Sequence, residues 1–382
     1  MKNINLFRKK KIKKYNKLLL KEDLNNNIKK INKYKVKLKH RKYNCFEINI
    51  DFLIKFSIPI LIILFIIFLA LKFKIKKKRK IIKANNIIEQ NEIKNKTYNY
   101  FACFVGMGRQ ENKYVRELVD YYSKLGVEKF IVADNNLPNT EKLSDVLQDY
   151  ISNGIVEIIE IFGSSFGQAE LYNATYEKYK TKCNWFLFFD FDEFLEVFFE
   201  KGKNLVLNEF LTNSTFDKCE AVLFNWLVYS DNDLIHYDNR PVLERFTDPY
   251  FNSKDNTYVK CMVRGGLNKT VFISKKSNHV PERGVTICDS KGNIRPGYNP
   301  FIIAPPIHDY GYLKHFTTKT AEEYCDKMIR GQPRNQISKQ EDRVKLFFMY
   351  NKFSQEKLDV FEKKFNKKFN PILDSKNFRG NK

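Results

Sequence analysis

From Tyr98 onward the chain alternates short apolar runs with amphipathic stretches, and this alternation most limits the folds open to it. YFACFVGM (100–107), KFIVADNN (129–136) and IVEIIEIF (155–162) are apolar runs of strand length. Between the first two, Val115, Leu118, Val119, Tyr122 and Leu125 recur at the spacing of one helix face, and the pattern stops at Gly126. Further helices are predicted over 139–153 and from Gln168 to Lys180, and NWFLFFDFDEF (184–194) reads as a fourth strand that runs into acids. Strands this apolar, joined by helices, make an α/β fold with a mostly parallel, Rossmann-like sheet flanked by helices. Beyond residue 200 the pattern loosens: 221–230 and 257–264 read as strands, 240–310 is loop-rich, and 318–330 and 338–351 read as helices. Ligands of such sheets bind at the carboxyl ends of the strands, so the residues following each strand are the place to look for chemistry.

The net charge of +24 would fit a nucleic-acid binder, but it is unevenly placed. Residues 1–83 hold 26 Lys and Arg against four acids, a net of +22, and the other 299 residues share the remaining +2. A domain so near neutrality is a poor counterion-releasing surface, and no nucleic-acid partner is expected. Within the basic segment, Phe56 to Leu71 is charge-free over 16 residues, with Lys55 and Lys72 placed to snorkel. We read 52–73 as a single-pass transmembrane helix, since about 20 residues cross a hydrocarbon core. The boundaries expected are a basic disordered tail (1–51), the span (52–73), a basic stem (74–97), the α/β domain (98–335) and a C-terminal helical extension (336–382). Lysines near the span favour a cytosolic domain, whereas the whole tail favours the opposite, so the side of the membrane stays open. Seven dispersed cysteines with no CxxC pair read as reduced, packed thiols. N-glycosylation sequons occur at Asn95, Asn173, Asn213 and Asn268 in an Asn-rich chain.

Asp190-Phe191-Asp192-Glu193 is the sharpest chemical feature. If the strand continues through it, Asp190 and Asp192 point the same way and present two carboxylates to one point. Hard oxygen ligands at a strand end suit Mg²⁺ or Mn²⁺ shared with a phosphate. A solvated acidic turn is the bland alternative, and it leaves unexplained why the acids follow so apolar a run. Phe194 breaks the DxDx[TV] pattern of dehalogenase-type phosphatases, and Gly163-Ser164 stands too far upstream for a polymerase-β-like nucleotidyltransferase. The DxD of metal-dependent, nucleotide-sugar glycosyltransferases fits without adjustment.

More of the chain then falls into one order of motifs. Arg109, Glu111, Asn112, Tyr114 and Glu117 are followed by Gly126-Val127, Lys129 and Asp134-Asn135-Asn136. Next come Gln168, Tyr172-Asn173, the block from Trp185 to Phe194, and Phe224 to Phe246. Last is His315 through Tyr324, with Lys327, Arg330 and Gly331. Over roughly 98–335 this order resembles glycosyltransferase family 92 and its bacterial and viral relatives. Leu118 and Tyr122 stand where members often carry Trp and His, and Ser230-Asp231 replaces a usual Gly-Ser. The departures bear on the acceptor more than on the reaction.

The resemblance implies a GT-A fold and a membrane-anchored enzyme. It would transfer a hexose, with galactose the sugar the family points to, from a UDP-sugar to a glycan or glycoconjugate hydroxyl. It implies Mn²⁺ or Mg²⁺ held by Asp190, Asp192 and His315. In this fold the second Asp usually binds the ion directly, and the first contacts ribose or water. Arg109, Glu111, Asp134, Asn135, Gln168, Asp190, Lys319 and Arg330 are the donor-binding candidates. An inverting reaction needs a carboxylate base near the acceptor, with Glu282 and Asp309 put forward and Glu193 and Glu244 also open. The expected location is the membrane, facing a Golgi or endoplasmic-reticulum lumen in a eukaryote and the cytoplasm in a bacterium or virus. The competing readings are a catalytically inactive carbohydrate-binding relative and a membrane-surface adaptor working through the basic tail.

Overall fold

The computed structural model describes residues 67–78, 97–163, 167–267, 281, 285–295, 302–331 and 339–369. The chain divides into two units, Met1–Ile82 and Lys83–Lys382. In the first, residues 67–78 are helical. Among the described residues no helix is long and apolar enough to cross a membrane. The expected tail, and most of the expected span and stem, lie outside the described residues.

The second unit opens with β1 (Tyr100–Gly108), α1 (Asn112–Leu125), β2 (Lys129–Asp134), α2 (Leu143–Val146), α3 (Gln148–Ser152), β3 (Val156–Glu160), α4 (Gln168–Tyr179) and β4 (Cys183–Phe188). β1, β2, β3 and β4 pair in parallel, as the alternation predicts. Neighbouring residues of β1 serve opposite faces: Ala102 and Phe104 join the core that holds α1, and Cys103 and Val105 the one that holds α4. α1 seals its face with Val115, Leu118, Val119 and Tyr122, all buried, and ends on Gly126 at φ 102°, a left-handed cap open to glycine. The helix expected over 139–153 is two short ones, because the backbone leaves helical geometry at Leu147.

The second half continues with β5 (Glu193–Val197), α5 (Leu207–Leu211), β6 (Ala221–Val228), α6 (Val242–Arg245), β7 (Val259–Arg264), β8 (Ile287–Asp289), β9 (Gly311–His315), α7 (Ala321–Arg330), α8 (Gln340–Tyr350) and α9 (Gln355–Phe365). The sheet order is β3-β2-β1-β4-β7-β6-β9-β5, with β8 beside β6. β7 runs antiparallel to β4 and β6, and β5 antiparallel to β9. The sheet is therefore mixed: beyond the four parallel strands β1 to β4, β8 and β9 also run parallel to β6, and the antiparallel pairs are those made by β7 and by β5. α7 packs with α8 and α9 on a small separate core that includes Tyr324, Phe347, Phe348 and Phe361.

Two further expectations are corrected. NWFLFFDFDEF is two strands: β4 stops at Phe188, β5 starts at Glu193, and the acids lie in the turn between. Glu193 makes that turn, because its N–H donates to Asp190 O and its Oε2 accepts from Asp190 N–H at 2.9 Å. Nor are the cysteines all reduced. Cys103 is bonded to Cys183 and Cys219 to Cys288, with Cα separations of 6.1 and 5.7 Å. The partners are 80 and 69 residues apart and meet because β1 lies beside β4 and β6 beside β8. Cys261 and Cys325 are buried free thiols, and Cys45 lies outside the described residues.

Candidate active site

The acidic turn sits where the parallel half of the sheet ends and the mixed half begins. Phe191 anchors it by burying its ring against the end of β1. A Cβ on Gly108 would come within 2.6 Å of that ring and one on Gly106 within 2.8 Å, so both positions must lack a side chain. With Phe191 fixed, the acids on either side of it meet different surroundings.

Asp190 is held by protein groups. Its Oδ1 accepts from Gln168 Nε2 and its Oδ2 from Lys260 Nζ at 2.7 Å. Lys260, on β7, is wholly buried and also lies 3.6 Å from Glu193. Burial alone would lower the Lys260 ammonium, but Asp190 and Glu193 outweigh it and keep the charge firmly in place. Glu193 is fully buried, and burial pushes its carboxyl up to about 8 against the pull of Lys260. With Lys260 and Glu193 buried and Asp190 half-buried, the three groups form a clasp that orients the turn.

Asp192 faces a different set. Its Oδ2 accepts from Lys327 Nζ at 2.7 Å, and its Oδ1 lies 3.7 Å from His315 Nε2, beyond hydrogen-bond range. Burial opposes its ionisation, yet Lys327 foremost outweighs this and holds the carboxyl well below the usual range. Burial pushes His315 down to about 4, which leaves the imidazole neutral and its lone pair available at neutral pH. His315 gets there by register. β9 pairs His315 with Glu193 of β5 on one side and with Val228 of β6 on the other, and the ring lies 4.2 Å from that of Trp226.

This arrangement fits a divalent cation. The 3.7 Å gap between Asp192 and His315 is within twice the ~2.1 Å ligand distance of such an ion. The nitrogen that faces Asp192 is Nε2, and Nδ1, the other ring nitrogen, is buried with no partner among the described residues. Among the described residues, no cluster of three His, Cys, Asp or Glu side chains could hold an ion. Asp190, expected as a ligand beside Asp192, has both carboxylate oxygens engaged by Gln168 and Lys260.

Lys327, which donates to Asp192, also lines a cavity of about 370 Å³ together with Glu111, Tyr114, Lys319 and Arg330 among others, and Asp192 itself is not in that lining. Lys319, expected to hold a diphosphate, is buried with its ammonium 4.3 Å from the centre of the Tyr114 ring and a left-handed backbone at φ 54°. Arg330 closes the rim: it donates to the carbonyls of Arg109 (2.8 Å) and Gln110 (3.1 Å) and pairs with Glu111. Arg109 in turn donates from Nε to Asn135 O at 3.2 Å. The structure thus joins Arg109, Glu111, Asn135 and Arg330, expected separately, into one clasp between the ends of β1, β2 and α7. Asp134 is buried, with Oδ1 accepting from Asn136 N–H and Oδ2 from Leu143 N–H, so its carboxylate closes the loop after β2. Of the acids expected as base, Asp309 is exposed and paired with Lys291 at 2.9 Å, Glu244 is exposed, and Glu282 lies outside the described residues.

Sequence reasoning missed Lys260 and the support beneath α7. A single lysine inside the apolar run TYVKCMVR was the available signal, since a charge there needs a buried partner. Glu323 accepts from Arg245 at 2.8 and 3.0 Å and from Tyr114 OH at 2.7 Å, and caps α7 through Thr320. It is this network that holds Lys319 and Lys327 at the cavity.

A search of the curated proteins finds no match. Among solved structures, the crystal structure of S. aureus TarS is similar at 9% identity and a TM-score of 0.30, over 65% of this chain and 42% of that one. TarS 1-349 is similar at 10% identity and a TM-score of 0.29, over 69% and 72%. The chain thus spans under half the length of the first, and likenesses this distant carry no argument about chemistry. The model of glycosyltransferase family 92 matches residues 98–292, from just before β1 to just past β8. With just over half of its length matched, the chain belongs to glycosyltransferase family 92.

Proposed function

We propose that this glycosyltransferase has a GT-A arrangement and moves a hexose, with galactose the first donor sugar to test, from a UDP-sugar to a hydroxyl of a glycan or glycoconjugate. The observation that carries the reading is the meeting of Asp192 and His315, with Lys327 joining Asp192 to a cavity that lysines line. Asp192 and His315 would hold Mn²⁺ or Mg²⁺, which when bound neutralises charge on the leaving diphosphate. The chain's own residues do the rest. Lys319 supplies a buried positive charge to the cavity, a fixed environment for the diphosphate, and Lys327 stands on the same wall with its ammonium on Asp192. Asp190, held by Gln168 and Lys260, keeps the turn in place and offers its carboxylate edge to the ribose or its water. The test is the detergent-solubilised chain incubated with a panel of nucleotide sugars, with and without Mn²⁺. Metal-dependent release of nucleoside diphosphate is expected from a UDP-hexose; no release from any donor would sink the reading.

The apolar run 52–73 supports a membrane anchor, and the two disulfides support a domain on the oxidising side of that membrane. The basic tail would then face the cytosol, where anionic lipids attract it. Asn213-Ser214-Thr215 is a sequon whose Asn is exposed at the start of a short 3-10 turn. Expressed whole in a eukaryotic secretory host, the chain should carry a glycosidase-sensitive glycan there, and Asn213→Gln should remove one glycan's mass. An unmodified Asn213 together with freely alkylated Cys103, Cys183, Cys219 and Cys288 would place the domain on the reducing side.

A further inference from the structure

The lysines around the acidic turn are not equivalent. Lys260 is sealed in the core, and its ammonium has no route away from Asp190 and Glu193. Lys327 stands on the cavity wall, 23% exposed, with its ammonium on Asp192 Oδ2 at 2.7 Å and on Thr317 O at 2.9 Å. It reaches Asp192 from α7, 135 residues along the chain. The helix beneath it is tied down by the capping of Thr320 and Glu323 and by the pair of Arg245 with Glu323. Movement of the Lys327 side chain therefore needs no movement of the backbone.

From this placement we infer that Lys327 is a resident counter-cation of Asp192 that a divalent ion displaces, after which its ammonium serves the anion in the cavity. The inference rests on the reading of Asp192 and His315 as ion ligands. A buried carboxylate requires a cation at all times, and with no ion bound Lys327 supplies it. An ammonium and a divalent ion a few ångströms apart repel strongly, so both cannot keep Asp192 as a close partner. The lysine stem is long and flexible, its ammonium is a point charge with three donors, and Lys319 and Arg330 line the same cavity. A diphosphate arriving there offers the displaced ammonium a new partner. Lys327 is thus a positioning residue that couples two binding events: the ion alone binds weakly, and the diphosphate makes its binding more favourable.

The test uses the full chain in detergent and measures Mn²⁺ binding directly, from the electron paramagnetic resonance signal of free Mn²⁺, with and without uridine diphosphate. For the wild type, saturating diphosphate should tighten Mn²⁺ binding between about 5- and 150-fold. In Lys327→Met, Mn²⁺ alone should bind about tenfold tighter, because a competing charge near the carboxylate is gone. The coupling should then fall by about that same tenfold, to what direct ligation of the ion by the diphosphate supplies, whereas Lys327→Arg should retain more of it. A melting curve on each variant shows that the fold persists. Lys327→Met that binds Mn²⁺ no tighter than the wild type, or that keeps the full coupling, overturns the exchange while leaving the ion site standing. A wild-type chain that binds uridine diphosphate and never binds Mn²⁺ overturns the ion reading and the exchange together.

Discussion

Asp192→Asn should lower the release of nucleoside diphosphate from the donor by roughly a hundredfold to a thousandfold, the range seen when one preorganised electrostatic group at a reacting centre is lost. The amide keeps the size of the carboxyl and removes its charge. That charge is what an ion between Asp192 and His315 would bind, and what the cluster of Lys327 and Lys319 keeps ionised in spite of burial. His315→Ala should act on the same step. Because the two residues would hold one ion, the double variant should lose little more than either single one. The assay is initial-rate release with saturating donor and Mn²⁺, alongside a melting curve that separates lost chemistry from lost fold. Wild-type rates in Asp192→Asn would remove the turn from the chemistry altogether.

The largest effect on stability is expected at Lys260. Lys260→Met puts a side chain of similar length into the core and leaves Asp190 and Glu193 facing one another without their shared cation. Breaking a fully buried pair from one side costs on the order of 3–5 kcal/mol. Asp190 is 36% exposed and water can take up part of its charge, so the cost here should fall below that range and above that of a surface pair. The loss should appear as a lower urea midpoint with an unchanged slope. Glu193 offers an internal control. Its carboxyl is already pushed up to about 8 by burial, so at neutral pH it is largely protonated with Lys260 in place, and Asp190 carries most of the penalty when Lys260 is gone. Glu193→Gln in the Lys260→Met background should therefore recover a minor part of the loss, and Asp190→Asn the larger part. A Lys260→Met chain within about 1 kcal/mol of the wild type, the usual worth of an exposed pair, would show that the clasp contributes no more than a surface one.

How much of this was legible in the chain depends on the range of the force involved. β1, α1, β2, β3, α4 and β4 were readable because each is announced by its own periodicity and ended by its own breaker, as Gly126 ends α1. The break inside 184–194 was not, because every residue from Trp185 to Phe189 favours a strand and the stop is made by hydrogen bonds from Glu193 back to Asp190. The cysteines misled for a related reason: spacing along the chain carries no information about pairs that strand order brings together.

By itself the sequence determined the charge division at residue 83, the parallel half of the sheet, the acids following its fourth strand and the family. All of these are written in residues within a few turns or strands of one another, or in the order of motifs along the chain. Only the tertiary structure decided that His315 faces Asp192, that Lys260 seals Asp190 from 70 residues away, and that Lys327 closes on Asp192 from α7. Those contacts follow from which strand lies beside which and in what register. Hydrophobic periodicity tells each segment which face to bury, and leaves the choice of neighbour to packing across the whole sheet.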